Sequence, residues 1–105
     1  MTVAEGILHK HEREIKELCV RLGVRRLEVF GSAVTGDFDL SHSDFDFLYD
    51  FNDRHSRDLA TRFFELKEGL EALLGRDVDL VYAAGIDNPY LLRKVNAQRR
   101  VLYAA

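Results

Sequence analysis

Apolar residues recur at intervals of three and four positions in two long stretches of the chain, which is the spacing of amphipathic helices. The first stretch begins with a capping-box pattern at Thr2 and Glu5 and ends at Gly23, a typical helix stop. Its apolar positions are Val3, Ile7, Leu8, Ile15, Leu18, Cys19 and Leu22. The second stretch ends at Gly75, and its apolar positions are Leu59, Phe63, Leu66, Leu70 and Leu73. Both stretches are predicted to form helices that pack on a sheet.

Three shorter stretches alternate apolar and polar residues, which is the period of a β-strand. They cover residues 25–30, 45–51 and 77–82. A polar connection over residues 52–56 separates the second strand from the second long helix. The pattern therefore predicts three strands that form the centre of the fold.

The last part of the chain begins a further helix at Asn88 and Pro89, because an asparagine side chain caps a helix and proline suits its first position. This helix is predicted to run to the end of the chain. Its buried positions are Leu91, Leu92, Val95 and Leu102, and its exposed positions are Arg93, Lys94, Arg99 and Arg100. The element order predicts an α/β fold with a small sheet of three strands, or four, and helices packed on it.

Length and composition narrow the class of protein. The chain has 105 residues, which suits a single domain over residues 1–105, and 47% of them are hydrophobic. A net charge of -3 argues against a general nucleic-acid-binding surface, and the single cysteine, Cys19, excludes an internal disulfide. We find no signal peptide and no apolar run near the ~20 residues that span a bilayer. We therefore expect a soluble, cytoplasmic protein without membrane or direct nucleic-acid partners.

A Gly-Ser turn follows the first predicted strand and is the first candidate for chemistry. Gly31 lets the backbone approach a phosphate closely, and a short helix that opens at Ser32 and ends at Gly36 would point free N–H groups at an anion. No Gly-Lys-Ser or Gly-Lys-Thr occurs in the chain, so this turn is not a P-loop. The turn predicts a phosphate-binding position.

Carboxylates at the start of the second strand are the other candidate. Asp44 and Asp46 are two residues apart, so their side chains leave the same face of the strand. Asp79, on the third strand, can face Asp46 if the two strands are neighbours. Carboxylates together with substrate phosphates are typical ligands of Mg²⁺, and such a site suits displacement at phosphorus. Two alternatives remain open: the acids form a solvated surface, or they form a metal-dependent glycosyltransferase-like D-x-D site.

The combined pattern resembles the minimal nucleotidyltransferase (MNT) family of the polymerase-beta-like superfamily. It consists of Gly31-Ser32-x-x-x-Gly36, Ser43-Asp44-x-Asp46 and the later Val78-Asp79-Leu80-Val81. The resemblance covers nearly the whole chain and implies a polymerase-beta-like nucleotidyltransferase fold with a mixed sheet. It also implies transfer of a nucleoside monophosphate from an NTP to an acceptor, with Mg²⁺ as cofactor and ATP as substrate.

By this resemblance, Asp44, Asp46 and Asp79 bind the metals, and Asp79 also helps to activate the acceptor hydroxyl. Gly31 and Ser32 hold the triphosphate, with Gly36 and Ser43 beside them. Small members similar to this chain act as antitoxins of HEPN-type RNase toxins by adenylylating a toxin tyrosine or by binding the toxin. The resemblance therefore implies a HEPN-type toxin partner, with a homo-dimer or a hetero-oligomer as the assembly.

The chain departs from the family pattern inside the turn. Many relatives carry arginines at the positions that Ala33 and Thr35 occupy here. Two cations that could face the phosphates are therefore missing. This leaves a second hypothesis open, in which the protein is a catalytically weak or inactive antitoxin that inhibits its partner by binding.

Overall fold

The computed structural model describes residues 2–53 and 57–105. Its elements in chain order are α1 (Val3–Lys10), α2 (Glu12–Leu22), β1 (Val24–Phe30), α3 (Ser32–Thr35), β2 (Phe45–Phe51), α4 (Leu59–Leu74), β3 (Val78–Tyr82), a 3₁₀ turn (Ala83–Gly85), α5 (Pro89–Gln98) and β4 (Arg100–Ala104). The predicted polar connection over residues 52–56 lies partly outside the described residues, because residues 54–56 are not among them. Across the described part of the chain, none of the helices is long and apolar enough to cross a membrane.

The four strands form one mixed sheet in the order β3-β2-β1-β4. β1 pairs antiparallel with both β2 and β4, and β2 pairs parallel with β3. α4 makes the crossover between the two parallel strands, as a parallel pair requires. The predicted α/β fold is confirmed, and the sheet in the described residues has four strands, the larger of the two predicted numbers.

The predicted first helix is in fact two helices. α1 ends at Lys10 and α2 starts at Glu12, and His11 between them has φ -106° and ψ 13°, outside the helical range. The break falls in a polar run, residues 9–14, between the buried residues Leu8 and Ile15. Gly23, in the left-handed conformation, ends α2 as predicted.

The prediction that the last helix runs to the end of the chain is wrong. α5 ends at Gln98, and residues 100–104 form β4, which pairs with β1. Leu102 therefore lies on a strand, and Leu91 and Leu92 are 42% and 36% exposed. A short run of Val, Leu and Tyr suits a strand as well as a helix, and here the free edge of β1 decides in favour of the strand.

The main core lies between the sheet and the helices α1, α2 and α4. Its largest fully buried side chains include Phe45, Phe47, Leu27, Leu66 and Leu70.

The opposite face of the sheet carries the polar chemistry. Side chains alternate along a strand, so Asp46 and Leu48 point away from the face on which Phe47 is buried. Leu48 and Val95 of α5 are also buried, yet neither belongs to the main cluster. α5 therefore covers this second face, and the space beside it is where the predicted site residues meet.

Candidate active site

The Gly-Ser turn is built around a backbone that only glycine adopts without strain. Gly31 has φ 76° and ψ -148°, and its carbonyl accepts hydrogen bonds from the N–H groups of Val34 (2.9 Å) and Thr35 (3.1 Å). A β-carbon on Gly31 would overlap the Oδ2 atom of Asp46. The glycine therefore permits the turn and the second strand to approach each other closely.

Ser32 and Gly36 bound the short helix α3 as the sequence predicts. Ser32 is its first residue, and Gly36 ends it in the left-handed conformation, with φ 89°. The N–H groups of a first helical turn have no carbonyl within the helix to bind. Ser32 is half-buried and Ala33 is buried, so the turn presents its backbone rather than long side chains.

Asp46 and Asp79 lie opposite each other on the parallel strands β2 and β3, in the same register. Asp46 is half-buried and Asp79 is exposed. The pKa of Asp46 is raised to about 6, and burial is the largest cause. The negative charge of Asp79 and a hydrogen bond with Asp79 add to this effect, and the charge of Asp44 acts in the same direction. Two carboxylates held this close repel each other when both are ionised, and a cation between them relieves that repulsion.

Asp44 is exposed and lies just before β2, so it flanks the pair instead of belonging to it. Within residues 2–53 and 57–105, no three His, Cys, Asp or Glu side chains converge closely enough to hold a metal ion alone. Magnesium binds through one or two carboxylates and completes its shell with water and substrate phosphates. The pair of Asp46 and Asp79, with Asp44 beside it, therefore fits Mg²⁺ that arrives with a nucleotide.

Ser43 lies in the loop between α3 and β2, where its side chain already has a partner. Its Oγ atom accepts a hydrogen bond from the N–H of Asp39 at 2.8 Å, and its own N–H donates to the Asp39 carbonyl at 2.8 Å. The Asp39 carboxylate accepts from the N–H of Ser41 at 2.9 Å and lies 2.9 Å from Nδ1 of His42. These contacts fix the loop that leads directly into Asp44.

Arg76, just after α4, also fixes this loop, and sequence reasoning missed it. Its Nη1 atom donates to the carbonyl of Ser43 at 2.9 Å, and its Nη2 atom donates to the carbonyl of Leu40 at 3.2 Å. Its guanidinium lies 4.9 Å from the centroid of the Phe38 ring. Nothing in the sequence pairs residue 76 with residues 38–43, because only the fold brings them together.

α5 closes the other side of the site through Gln98. The Gln98 Oε1 atom accepts a hydrogen bond from the N–H of Gly31 at 3.1 Å. Lys94 lies one helical turn before Gln98. Its positive charge lowers the pKa of Asp46, but the effects that raise this pKa are stronger. The helical pattern predicts that Lys94 lies on the exposed face of the last helix. Its spacing of four from Gln98 nevertheless indicates that the two residues lie on the same side of that helix.

A buried ion pair holds the end of α5 against the sheet. Glu28 of β1 is 2% exposed, and Arg99 binds its Oε2 atom through Nε at 3.0 Å and also through Nη2. Arg26 lies 3.3 Å from the Glu28 Oε1 atom. Burial by itself would raise the pKa of Glu28, but the hydrogen bond and charge of Arg99, and then Arg26, keep it below its ordinary value. The pair was not predicted from the sequence, because the helical pattern places Arg99 on an exposed helix face.

Comparison with known proteins gives consistent matches over most of the chain. The sequence model of the nucleotidyltransferase domain family matches residues 11–102. The chain is 45% identical over 82 residues to protein adenylyltransferase MntA of Thermococcus cleftensis, covering 78% of this chain and 76% of that one. It is 35% identical over 96 residues to a proposed protein adenylyltransferase of Methanocaldococcus jannaschii, covering 90% and 91% of the two chains.

Solved structures agree with these sequence matches. A structure of a proposed minimal nucleotidyltransferase superposes with a TM-score of 0.73 at 32% identity, covering 95% of each chain. A chain in a crystal structure of a toxin–antitoxin with AMP-PNP superposes with a TM-score of 0.63 at 26% identity, covering 90% of this chain and 73% of that one.

Proposed function

This chain belongs to the nucleotidyltransferase domain family, and we propose that it transfers AMP from ATP to a hydroxyl of a protein partner, with Mg²⁺ as cofactor. The observation that carries the proposal is the in-register pair of Asp46 and Asp79 against the Gly31 turn. Its similarity to a protein adenylyltransferase supports the choice of AMP and of a protein acceptor.

The carboxylates have distinct roles in this proposal. Asp46 and Asp79 hold the metal together with phosphate oxygens, and Asp44 completes the set from the end of the fixed loop. When bound, Mg²⁺ neutralises phosphate charge and polarises the phosphorus that the acceptor attacks. Asp79, the exposed member of the pair, also accepts the proton of the acceptor hydroxyl. Asp46, the more enclosed member, is the one whose position the Gly31 turn defines.

The turn residues hold the triphosphate. Gly31 allows the phosphates to lie beside Asp46, and Ser32 contributes its hydroxyl and its N–H. Gly36 ends the turn, and Ser43 helps to hold the loop on its far side. The metal and the phosphate positions are thus adjacent, which is what an in-line displacement at the α-phosphorus requires. In that displacement the acceptor oxygen bonds to the α-phosphorus while the bond between the α-phosphorus and the bridging oxygen breaks, and pyrophosphate leaves.

We further propose that the acceptor is a tyrosine of a HEPN-type RNase toxin and that this chain is its antitoxin. A 26% identical neighbour of known structure is part of a toxin–antitoxin, and the 45% identical relative named above is protein adenylyltransferase MntA. The start of α5 offers an exposed apolar surface for such a partner, with Tyr90 79%, Leu91 42% and Leu92 36% exposed. A partner bound there would lie close to the site that α5 borders.

A second candidate function is inhibition of the same partner by binding alone. Ala33 and Thr35 motivate it, because neither places a cation in the turn. In this case transfer would be slow or absent, while complex formation with the partner would persist.

Incubation of the protein with its genomic-neighbour protein, Mg²⁺ and ATP labelled at the α-phosphate tests the first function. We expect the label on a partner tyrosine, and we expect Asp46→Asn and Asp79→Asn each to abolish it. Glu68→Gln is the matched control, because it neutralises an exposed carboxylate on α4. If no label transfers and Asp46→Asn still neutralises the partner, the enzymatic function is excluded and the binding function stands.

A further inference from the structure

We propose that Lys94 of α5 binds the triphosphate and supplies the positive charge that Ala33 and Thr35 do not provide in the turn. The inference rests on the nucleotidyl transfer proposed above and adds a residue to the same site. The position of α5, which contacts of Val95, Gln98 and Arg99 fix, is the basis for it.

α5 is capped at its first turn and is held against the sheet and the turn through its second half. The Asn88 side chain caps its first turn by accepting from the N–H groups of Tyr90 (2.9 Å) and Leu91 (3.2 Å). Val95 is 1% exposed, so this side of the helix is pressed onto the sheet. At the end of the helix, Gln98 binds the Gly31 N–H, and Arg99 binds the buried carboxylate of Glu28. The helix cannot rotate without breaking these contacts.

This fixed orientation decides where Lys94 points. Residues four apart on a helix lie on the same side, with β-carbons about 5–6 Å apart. Gln98 reaches the Gly31 turn, so Lys94 lies one turn further along the same side of the helix. Its positive charge acts on Asp46, which the Gly31 turn abuts. Lys94 therefore lies on the side of α5 that faces the turn and Asp46, within reach of the space where the phosphates are proposed to bind.

Lys94 is exposed, and in the described part of the chain it forms no ion pair within 4.0 Å. Three other cations near the site, among the residues that the structure describes, are already engaged. Arg99 binds Glu28, and Arg76 binds loop carbonyls. Lys67, whose charge interacts with Asp79, binds Glu71. An unpaired lysine is a flexible point charge with three donors, suited to phosphate oxygens. Since it contributes little to folding contacts, it is also a residue whose replacement leaves the fold intact.

A simpler role for Lys94 would be that of a counter-ion for Asp46, and the two roles predict opposite effects. A counter-ion competes with metal, so its removal would strengthen the binding of both Mg²⁺ and Mg²⁺–ATP. A triphosphate ligand contributes to nucleotide binding directly. Its removal would weaken the binding of Mg²⁺–ATP while leaving the binding of Mg²⁺ alone unchanged or stronger.

The experiment compares the full chain with Lys94→Met, Lys94→Arg and the matched control Arg93→Met, which removes the same charge from the adjacent exposed residue. Equilibrium binding of a fluorescent ATP analogue and of the matching AMP analogue is measured with Mg²⁺ present, and binding of Mg²⁺ is measured alone. We expect Lys94→Met to weaken binding of the ATP analogue roughly 10- to 100-fold. Binding of the AMP analogue should change far less, Lys94→Arg should recover most of the affinity, and Arg93→Met should resemble the wild type.

The outcomes separate this inference from the function it rests on. If the wild type binds the ATP analogue and Lys94→Met matches Arg93→Met, the role of Lys94 is wrong and the proposed transfer stands. If Lys94→Met binds the ATP analogue more tightly, Lys94 is a counter-ion only. If the wild type binds no ATP analogue in the presence of Mg²⁺, the proposed function fails and the role of Lys94 fails with it.

Discussion

Gly31 lies directly against Asp46, and the absence of a side chain at position 31 is what allows the carboxylate to occupy its place. Gly36, five residues later, has an equally unusual φ of 89°, but a β-carbon there would meet nothing within 4 Å. The two glycines therefore share a backbone requirement and differ in what surrounds them.

Replacing Gly31 by alanine should damage both stability and the site. We expect the free energy of unfolding in urea to fall by about 1–3 kcal/mol from the positive φ, and by more from the overlap with Asp46. Gly36→Ala should show the backbone cost without the overlap, and it should lose less affinity for Mg²⁺–ATP than Gly31→Ala. Equal loss of affinity in the two variants would contradict a specific role for the contact between Gly31 and Asp46.

Asp46 should make the metal-free protein less stable at neutral pH than at pH 4. Its pKa is about 6 in the folded protein, against an ordinary value of 3.8, so the folded state binds more protons than the unfolded state between these values. Its contribution to stability therefore falls as the pH rises from about 4 to about 6. We expect Asp46→Asn to melt at a higher temperature than the wild type at pH 7.5 without metal, with a smaller difference at pH 4. Glu68→Gln should leave the melting temperature nearly unchanged at both pH values.

Arg76 should control the order of the loop that presents Asp44. Arg76→Met removes two hydrogen bonds to loop carbonyls and the cation–π contact with Phe38, so we expect the protein to lose about 1–2 kcal/mol of stability. Hydrogen exchange should accelerate over residues 39–44 and much less in α2. The control is Arg13→Met, because the Arg13 side chain is 89% exposed and, among the described residues, forms an ion pair only with Glu17 on its own helix. Unchanged exchange in the loop would refute this role.

Glu28 should stabilise the protein in a pH-dependent way. Its pKa is below the ordinary 4.5, so its contribution is fully present above that pH and is lost as the pH falls through the lower, folded value. We expect Glu28→Gln to cost about 1–3 kcal/mol near pH 7, because Arg99 and Arg26 lose their anionic partner, and to cost less in acid. Glu12→Gln, which breaks an exposed pair with Lys16, should have little effect at either pH. A cost for Glu28→Gln that does not change with pH would argue against the ion pair.

The sequence by itself determined the strand and the helix ends that are marked by residues within a few positions of one another. Alternation gave the second strand with the bounds Phe45–Phe51, and Gly23, Gly75 and Asn88 with Pro89 marked helix ends that the structure confirms. These features depend on neighbours within a few residues, so a single sequence contains them. Asp44, Asp46 and the turn were identified for the same reason, because their spacing is local, whereas Asp79 joined them only on the condition that its strand lies beside theirs.

Only the tertiary structure decided how these pieces meet. The pairing of β2 with β3 brought Asp79 opposite Asp46, and the free edge of β1 turned the end of the predicted last helix into β4. That change ended α5 at Gln98 and placed Gln98 on the Gly31 turn. Strand pairing and helix packing depend on contacts between residues far apart in the chain, such as Glu28 and Arg99, which are 71 positions apart, and no local pattern records them.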